Sequence, residues 1–164
     1  MNSTLTVDPI PTQRPLPALL MEVKVVAVQK VFVRLRDKGF NDVREGHGCV
    51  FGFIDLEHGS RPTDLAEGAG LTKQAVGEAV AELERLGYLE RVPDPEDGRA
   101  KIIKLTPRGL EACLTGRRIF AQIEREWAEE FGEELIAGMR EAAERIACAE
   151  REAVATGRRR SAAA

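Results

Sequence analysis

The sequence predicts a mainly α-helical fold carrying one small β-hairpin, and three observations lead there. Apolar stripes of helical period run through residues 18–38 and 110–155. Between them, two short helical patterns are separated by Gly68-Ala69-Gly70. Directly after these, two β-patterned runs at 88–92 and 101–105 bracket a loop rich in Pro, Asp and Gly. With 164 residues, the chain is long enough to bury a core as one domain without disulfides.

Residues 1–17 hold Pro9, Pro11 and Pro15 among polar residues and read as a flexible arm. In 18–38, Met21, Val25, Val28, Phe32 and Leu35 recur at spacings of 4, 3, 4 and 3, and Leu19, Leu20, Val23 and Ala27 widen that face. The valines would suit a strand, but the length and the ending Asp37-Lys38-Gly39 favour a helix with a glycine cap. So wide a face fits either a subunit interface or a deeply buried core helix. A second, shorter helix is expected over 46–57, around Cys49, Val50, Phe51, Phe53, Ile54 and Leu56, and Gly59-Ser60 ends it.

The next stretch is more specific. Arg61–Glu67 opens with Pro62 and Asp64 in its first turn, two helix-start signals. After the glycine break, Thr72 is placed as the N-cap of another helix. Val76, Ala79, Val80, Leu83 and Leu86 share one face of it; Lys73, Gln74, Gly77, Glu78 and Ala81 share the other, and Gly87 closes it. Helix, glycine turn, helix: this is a helix-turn-helix. Tyr88–Val92 and Lys101–Leu105 then form a hairpin whose tip is Pro93–Ala100. Thr106-Pro107 starts a helix reaching about 128, Gly132 breaks it, and a last helix over 133–155 carries Leu135, Ile136, Met139, Ala142, Ala143 and Ile146. The tail 156–164, with Arg158-Arg159-Arg160, reads as disordered. The fold class is therefore mainly α with a winged helix-turn-helix over 46–109, flanked by helical segments at 18–45 and 110–155.

A recognition helix followed by a two-stranded wing suits duplex DNA. The helix fits the major groove with its N-terminal residues toward base edges, and a wing reaches the backbone or the minor groove. Thr72, Lys73 and Gln74 are the candidate base-facing residues; Gln pairs with adenine and Lys with guanine. Gly77 either lets the helix approach the duplex closely or is simply tolerated, at about 1 kcal/mol against Ala. Arg99, Lys101, Lys104 and Arg108 are the candidate wing and backbone contacts, with Asp97 placed to orient Arg99.

Charge excludes bulk electrostatic binding. The chain has 24 Lys and Arg against 27 Asp and Glu, a net of −3. Residues 72–108 hold seven basic and seven acidic side chains, so DNA binding there needs a local arrangement. Residues 121–153 carry ten Glu and four Arg and are excluded as a DNA-facing side. No stretch is long and apolar enough to span a bilayer and no secretory leader is visible, so a cytoplasmic chain is expected. Cys49, Cys113 and Cys148 are odd in number and widely spaced, as in a reducing compartment.

The runs Leu71-Thr72-Lys73-Gln74, Leu83–Arg91, Pro93–Ala100 and Leu105-Thr106-Pro107-Arg108-Gly109 closely resemble the MarR family of winged-helix transcriptional regulators. The strongest element is Asp97-Gly98-Arg99, similar to that family's wing signature. The resemblance implies a homodimer built by the first and last helices, a wing arginine in the minor groove, and a pocket for a small-molecule effector. Residues 41–49 depart from the usual pattern, and no effector site maps onto them.

Other chemistry has little to stand on. His47, Cys49 and His58 lack a second ligand pair at metal-binding spacing, and no metal or cofactor is expected. Cys49, near a helix start, is the candidate for a redox-sensing regulator. No nucleophile motif, phosphate loop or spaced carboxylate pair marks an enzyme. The leading expectation is a sequence-specific homodimeric repressor bound to an inverted-repeat operator of double-stranded DNA. The rival is a winged helix used as a protein-interaction module without DNA affinity.

Overall fold

The computed structural model describes residues 13–95, 97 and 100–162, with side chains as far as Glu152. The chain divides into two compact units, one ending at Ile119 and one beginning at Phe120, so the boundary falls inside a helix.

In the first unit α1 spans Leu16–Asp37. Its buried residues are Ala27, Val31 and Leu35, while Met21 and Val25 are exposed and Val28 and Phe32 are half-buried. The expected stripe therefore meets the core only near its end. The single helix expected over 46–57 is replaced by a 3₁₀ turn at Glu45–His47, a one-turn α2 at Gly48–Phe51, and turns. The reason is local competition for the backbone. Asp55 accepts from the N–H groups of Glu57 and His58, both at 2.8 Å, and its own N–H donates to Ser60 Oγ at 2.9 Å. Gly59 then turns the chain so closely against Ile103 that a Cβ there would lie 2.5 Å from the Ile103 carbonyl oxygen. Ser60 and Ile103 exchange two backbone bonds of 2.9 and 2.8 Å, adding a third short rung to the wing.

Helix α3 is Pro62–Ala69 and α4 is Lys73–Arg85. Thr72 caps α4 as expected, its Oγ1 accepting from the Ala75 N–H at 3.2 Å. Val76, Val80 and Leu83 of α4 are fully buried, as are Leu65 of α3, Tyr88 and Ile103, and these side chains belong to the core. Strands β1 (Leu89–Pro93) and β2 (Lys101–Leu105) pair antiparallel, from Leu89 opposite Leu105 to Pro93 opposite Lys101. At the tip, the Asp94 N–H donates to the Ala100 carbonyl and the Ala100 N–H to the Asp97 carbonyl.

Helix α5 runs Pro107–Phe131 and sets Ala112, Cys113 and Ile119 in buried positions. Its first turn sits on the start of the wing. A Cβ at Gly109 would lie 1.9 Å from the Tyr88 carbonyl oxygen, so only glycine permits this approach.

The second unit comprises the end of α5 and α6, Glu133–Ala162, with Gly132 breaking between them as the sequence predicts. Arg140 of α6 donates to Glu124 of α5 at 2.8 Å. Helix α6 continues through 156–162, where an unstructured tail is expected; Arg158, Arg159, Arg160 and Ala162 are good helix formers, against the weaker Thr156, Gly157 and Ser161. Its described face is solvent-exposed, Leu135, Met139 and Ile146 included. No described helix is long and apolar enough to cross a membrane.

Candidate nucleic-acid interface

The outer face of α4 is open. Thr72, Lys73, Gln74, Glu78 and Ala81 are exposed, and a Cβ added at Gly77 would meet nothing within 4 Å. Gln74 donates to Glu78 one turn on, at 3.1 Å. Thr72 accepts a backbone N–H, which leaves its hydroxyl proton able to donate outward.

Three of the seven acids of 72–108 are taken up by pairing within the fold. Glu84 accepts from Arg91 Nε at 2.8 Å, Glu82 lies 3.8 Å from Arg85, and Asp94 accepts from Arg61 Nε at 2.6 Å. These acids are tied to arginines of the fold. Lys73, Lys101 and Lys104, by contrast, enter no ion pair among the described residues. Lys73 lies in the first turn of α4, and Lys101 and Lys104 lie on β2, opposite Pro93 and Glu90. Asp97 is exposed at the wing tip, and Arg99, with Glu96 and Gly98, lies outside the described residues.

Arg108, expected at a phosphate, is exposed but bonded within the fold. It donates to the Leu86 carbonyl at 2.9 Å, to Asp42 at 2.9 Å and to the Tyr88 hydroxyl at 3.0 Å, and its guanidinium stacks 4.3 Å above the Tyr88 ring. Tyr88 is fully buried and donates to Asp42 at 2.5 Å. Burial first, then the hydrogen bond and charge of Asp42, push the phenol up to about 12, against a smaller opposing pull from Arg108. For Asp42, burial pulls upward, but the Tyr88 bond, a backbone N–H and Arg108 together outweigh it and hold the carboxyl below its usual range.

Two further polar groups were not legible as a site. Asp94 is buried, 5% exposed, and joins the wing base to Arg61 at the start of α3. His47 is buried, 2% exposed, and joins the turn before α2 to Glu82 of α4. Their only sequence signal was a charged or polar residue between apolar runs.

The cysteine candidate weakens on inspection of its surroundings. Cys49 Sγ donates to the Gly46 carbonyl at 3.0 Å, and burial pushes its thiol up, the reverse of an activated thiolate. Cys113 is buried and pushed up for the same reason. Among the described residues, no group of three or more His, Cys, Asp or Glu side chains is placed to hold a metal ion.

The comparisons with known proteins agree with this geometry. Residues 41–100 match the model of the MarR family. Over those residues the chain is similar to the MarR family. Apo wild-type MarR from E. coli is 20% identical, with a TM-score of 0.67 over 82% of this chain and 98% of that one. The transcriptional regulator Tm0710 of Thermotoga maritima is 25% identical, with a TM-score of 0.55 over 82% and 92%. A mutant of MepR from S. aureus, solved bound to an oligodeoxyribonucleotide, is 22% identical, with a TM-score of 0.54 over 82% and 99%. No curated protein sequence matches the chain. The MarR-type fold thus extends over most of the chain, beyond the 60 residues of the family match.

Proposed function

We propose that this chain is a sequence-specific DNA-binding transcriptional regulator that acts as a homodimeric repressor at an inverted-repeat operator. The observation that carries the reading is the sorting of charge around α4 and the wing. Glu82, Glu84 and Asp94 are paired with arginines, whereas Lys73, Lys101 and Lys104 are left without ion pairs among the described residues. In this reading Thr72, Lys73 and Gln74 face base edges, Gly77 allows close approach, and Lys101 and Lys104 meet phosphates. Arg99 reaches into the minor groove with Asp97 as its orienting partner. The oligodeoxyribonucleotide complex of the similar MepR supports a DNA-facing use of the fold.

Dimerisation is supported by apolar surface that one chain does not bury. Met21 is 67% exposed in α1, and Leu135 is 65% exposed in α6. Two recognition helices would set half-sites about one helical turn, roughly 34–36 Å, apart. Release by a small-molecule effector rests on the family likeness, and a place in the cytoplasm on the sequence reading.

The deciding experiment is a mobility-shift titration on DNA upstream of the protein's own gene, at two salt concentrations. Binding through phosphates must weaken steeply with salt, by about 0.9 in log–log slope per contact. Lys73→Ala and Gln74→Ala should lose preference among operator variants, while Lys101→Ala and Lys104→Ala should weaken all sequences alike. A chain that shifts no DNA at either salt would be a protein-interaction module instead.

A further inference from the structure

A buried polar ring needs partners for both nitrogens, and His47 has them. Its Nδ1 accepts from the Arg44 N–H at 3.1 Å, so the ring proton sits on Nε2, which donates to Glu82 Oε2 at 3.0 Å. The other Glu82 oxygen lies 3.4 Å from Arg44 Nη1. Residues 44–47 therefore grip one carboxylate of α4 by two side chains.

The place of that carboxylate on the helix matters. Glu82 is nine residues beyond Lys73, and at 3.6 residues per turn this sets the two half a turn apart around α4. The grip is thus on the side of the helix away from Lys73. The apolar contacts of Val76, Val80 and Leu83 hold α4 down without the directionality of a hydrogen bond, so a bond gripping Glu82 adds a restraint on roll about the helix axis. A roll of about 20° moves a side chain at the helix surface, roughly 5–6 Å from the axis, by about 2 Å. That is several times the distance tolerance of a hydrogen bond, so it would spoil bonds to base edges while leaving looser phosphate contacts.

We propose that His47 is a positioning residue for the recognition helix: through Glu82 it sets the roll of α4, and so sequence discrimination, without touching DNA. This rests on the DNA-binding reading above.

Two substitutions divide the ring's functions. Asn at 47 keeps an acceptor near the Nδ1 position but cannot reach Glu82; Gln keeps a donor near the Nε2 position and gives up the local bond. The probes are a duplex selected by the wild-type chain from random DNA, the same duplex with one half-site scrambled, and poly(dI-dC). His47→Asn should lower the affinity ratio between selected and scrambled duplex about tenfold, the scale of one spoiled base contact, with poly(dI-dC) affinity unchanged. His47→Gln should keep the ratio to within about threefold although it too lowers Tm. Glu82→Ala, which leaves the buried ring intact, should reproduce the loss of His47→Asn, and the double variant should lose no more than either single one. A wild-type ratio in Glu82→Ala, or equal losses in the Asn and Gln variants, would make the role of His47 purely structural and overturn the proposal. A wild-type chain that selects no duplex overturns the DNA-binding reading, and the proposal with it.

Discussion

Tyr88 is the chain's single tyrosine, so its ionisation can be followed alone by tyrosinate absorbance. In the folded chain it ionises at about 12, against an ordinary value of 10.0. Between those values the unfolded chain loses the proton while the folded chain keeps it. The folded state then binds more protons, and stability falls as pH rises. The contribution is whole below about pH 10 and is lost as pH climbs through about 12. Two units at 1.36 kcal/mol each make this about 3 kcal/mol, a large share of the 5–15 kcal/mol typical of a domain. The assay is urea unfolding of wild type and Tyr88→Phe in steps from about pH 8 to about pH 12. Phe removes a buried donor and leaves Asp42 short of a partner, so the variant should be about 1–2 kcal/mol less stable at the lower end. The gap should close as the pH rises. A folded-state tyrosinate midpoint near 10, or parallel pH slopes in the two proteins, would refute the reasoning. At the acid end the sign reverses: Asp42 is held low, so its contribution is present above its ordinary value of 3.8 and is lost as pH falls through the lowered one.

Two glycines of similar sequence context should respond oppositely to alanine. Gly109→Ala puts a Cβ into the Tyr88 carbonyl oxygen and should cost about 2 kcal/mol or more despite the better helix propensity, read as a drop in Tm; an unchanged Tm would remove the close approach from the account. Gly77→Ala has open space and should raise stability by about 0.5–1 kcal/mol; if α4 lies against the duplex it should also weaken DNA binding, and a variant that gains in both would place Gly77 away from DNA. Met139→Glu should leave the first unit folded yet shift light-scattering mass toward the 18.0 kDa single chain and weaken operator binding; a variant that assembles as before would take α6 out of the interface.

What was legible in the sequence was local. Pro62, Thr72 and Gly132 mark element ends through their own backbone chemistry, and each marks one in the structure. The stretch 46–57 misled because its apolar spacing was read without the Asp55 and Ser60 side chains, which draw the backbone into turns. The first helix is apolar on so many sides that periodicity could not choose the stripe Ala27, Val31 and Leu35 that packs. The interface was harder for a different reason. Which cation is committed to the fold depends on pairs far apart in the chain, such as Arg61 with Asp94 and Arg108 with Asp42, and no spacing rule reaches that far.

The bonding of Arg108 within the fold explains why the run Leu105–Gly109 is built as it is. A helix leaves its last carbonyls without partners, and at the end of α4 the chain must also turn sharply into the wing. Three successive carbonyls at that corner are satisfied from this one run. Arg108 donates to the Leu86 carbonyl at 2.9 Å, the Thr106 hydroxyl to that of Gly87 at 2.7 Å, and the Thr106 N–H to that of Tyr88 at 3.0 Å. The same Thr106 oxygen accepts from the Gly109 N–H at 3.1 Å and so caps α5 as well. Gly109 completes the corner by having no side chain to hold α5 away from Tyr88. The end of α4, the root of the wing and the start of α5 are therefore one hydrogen-bonded joint. Arg108 stays about half exposed there, yet its bonds help fix the angle at which α4 and the wing leave the core.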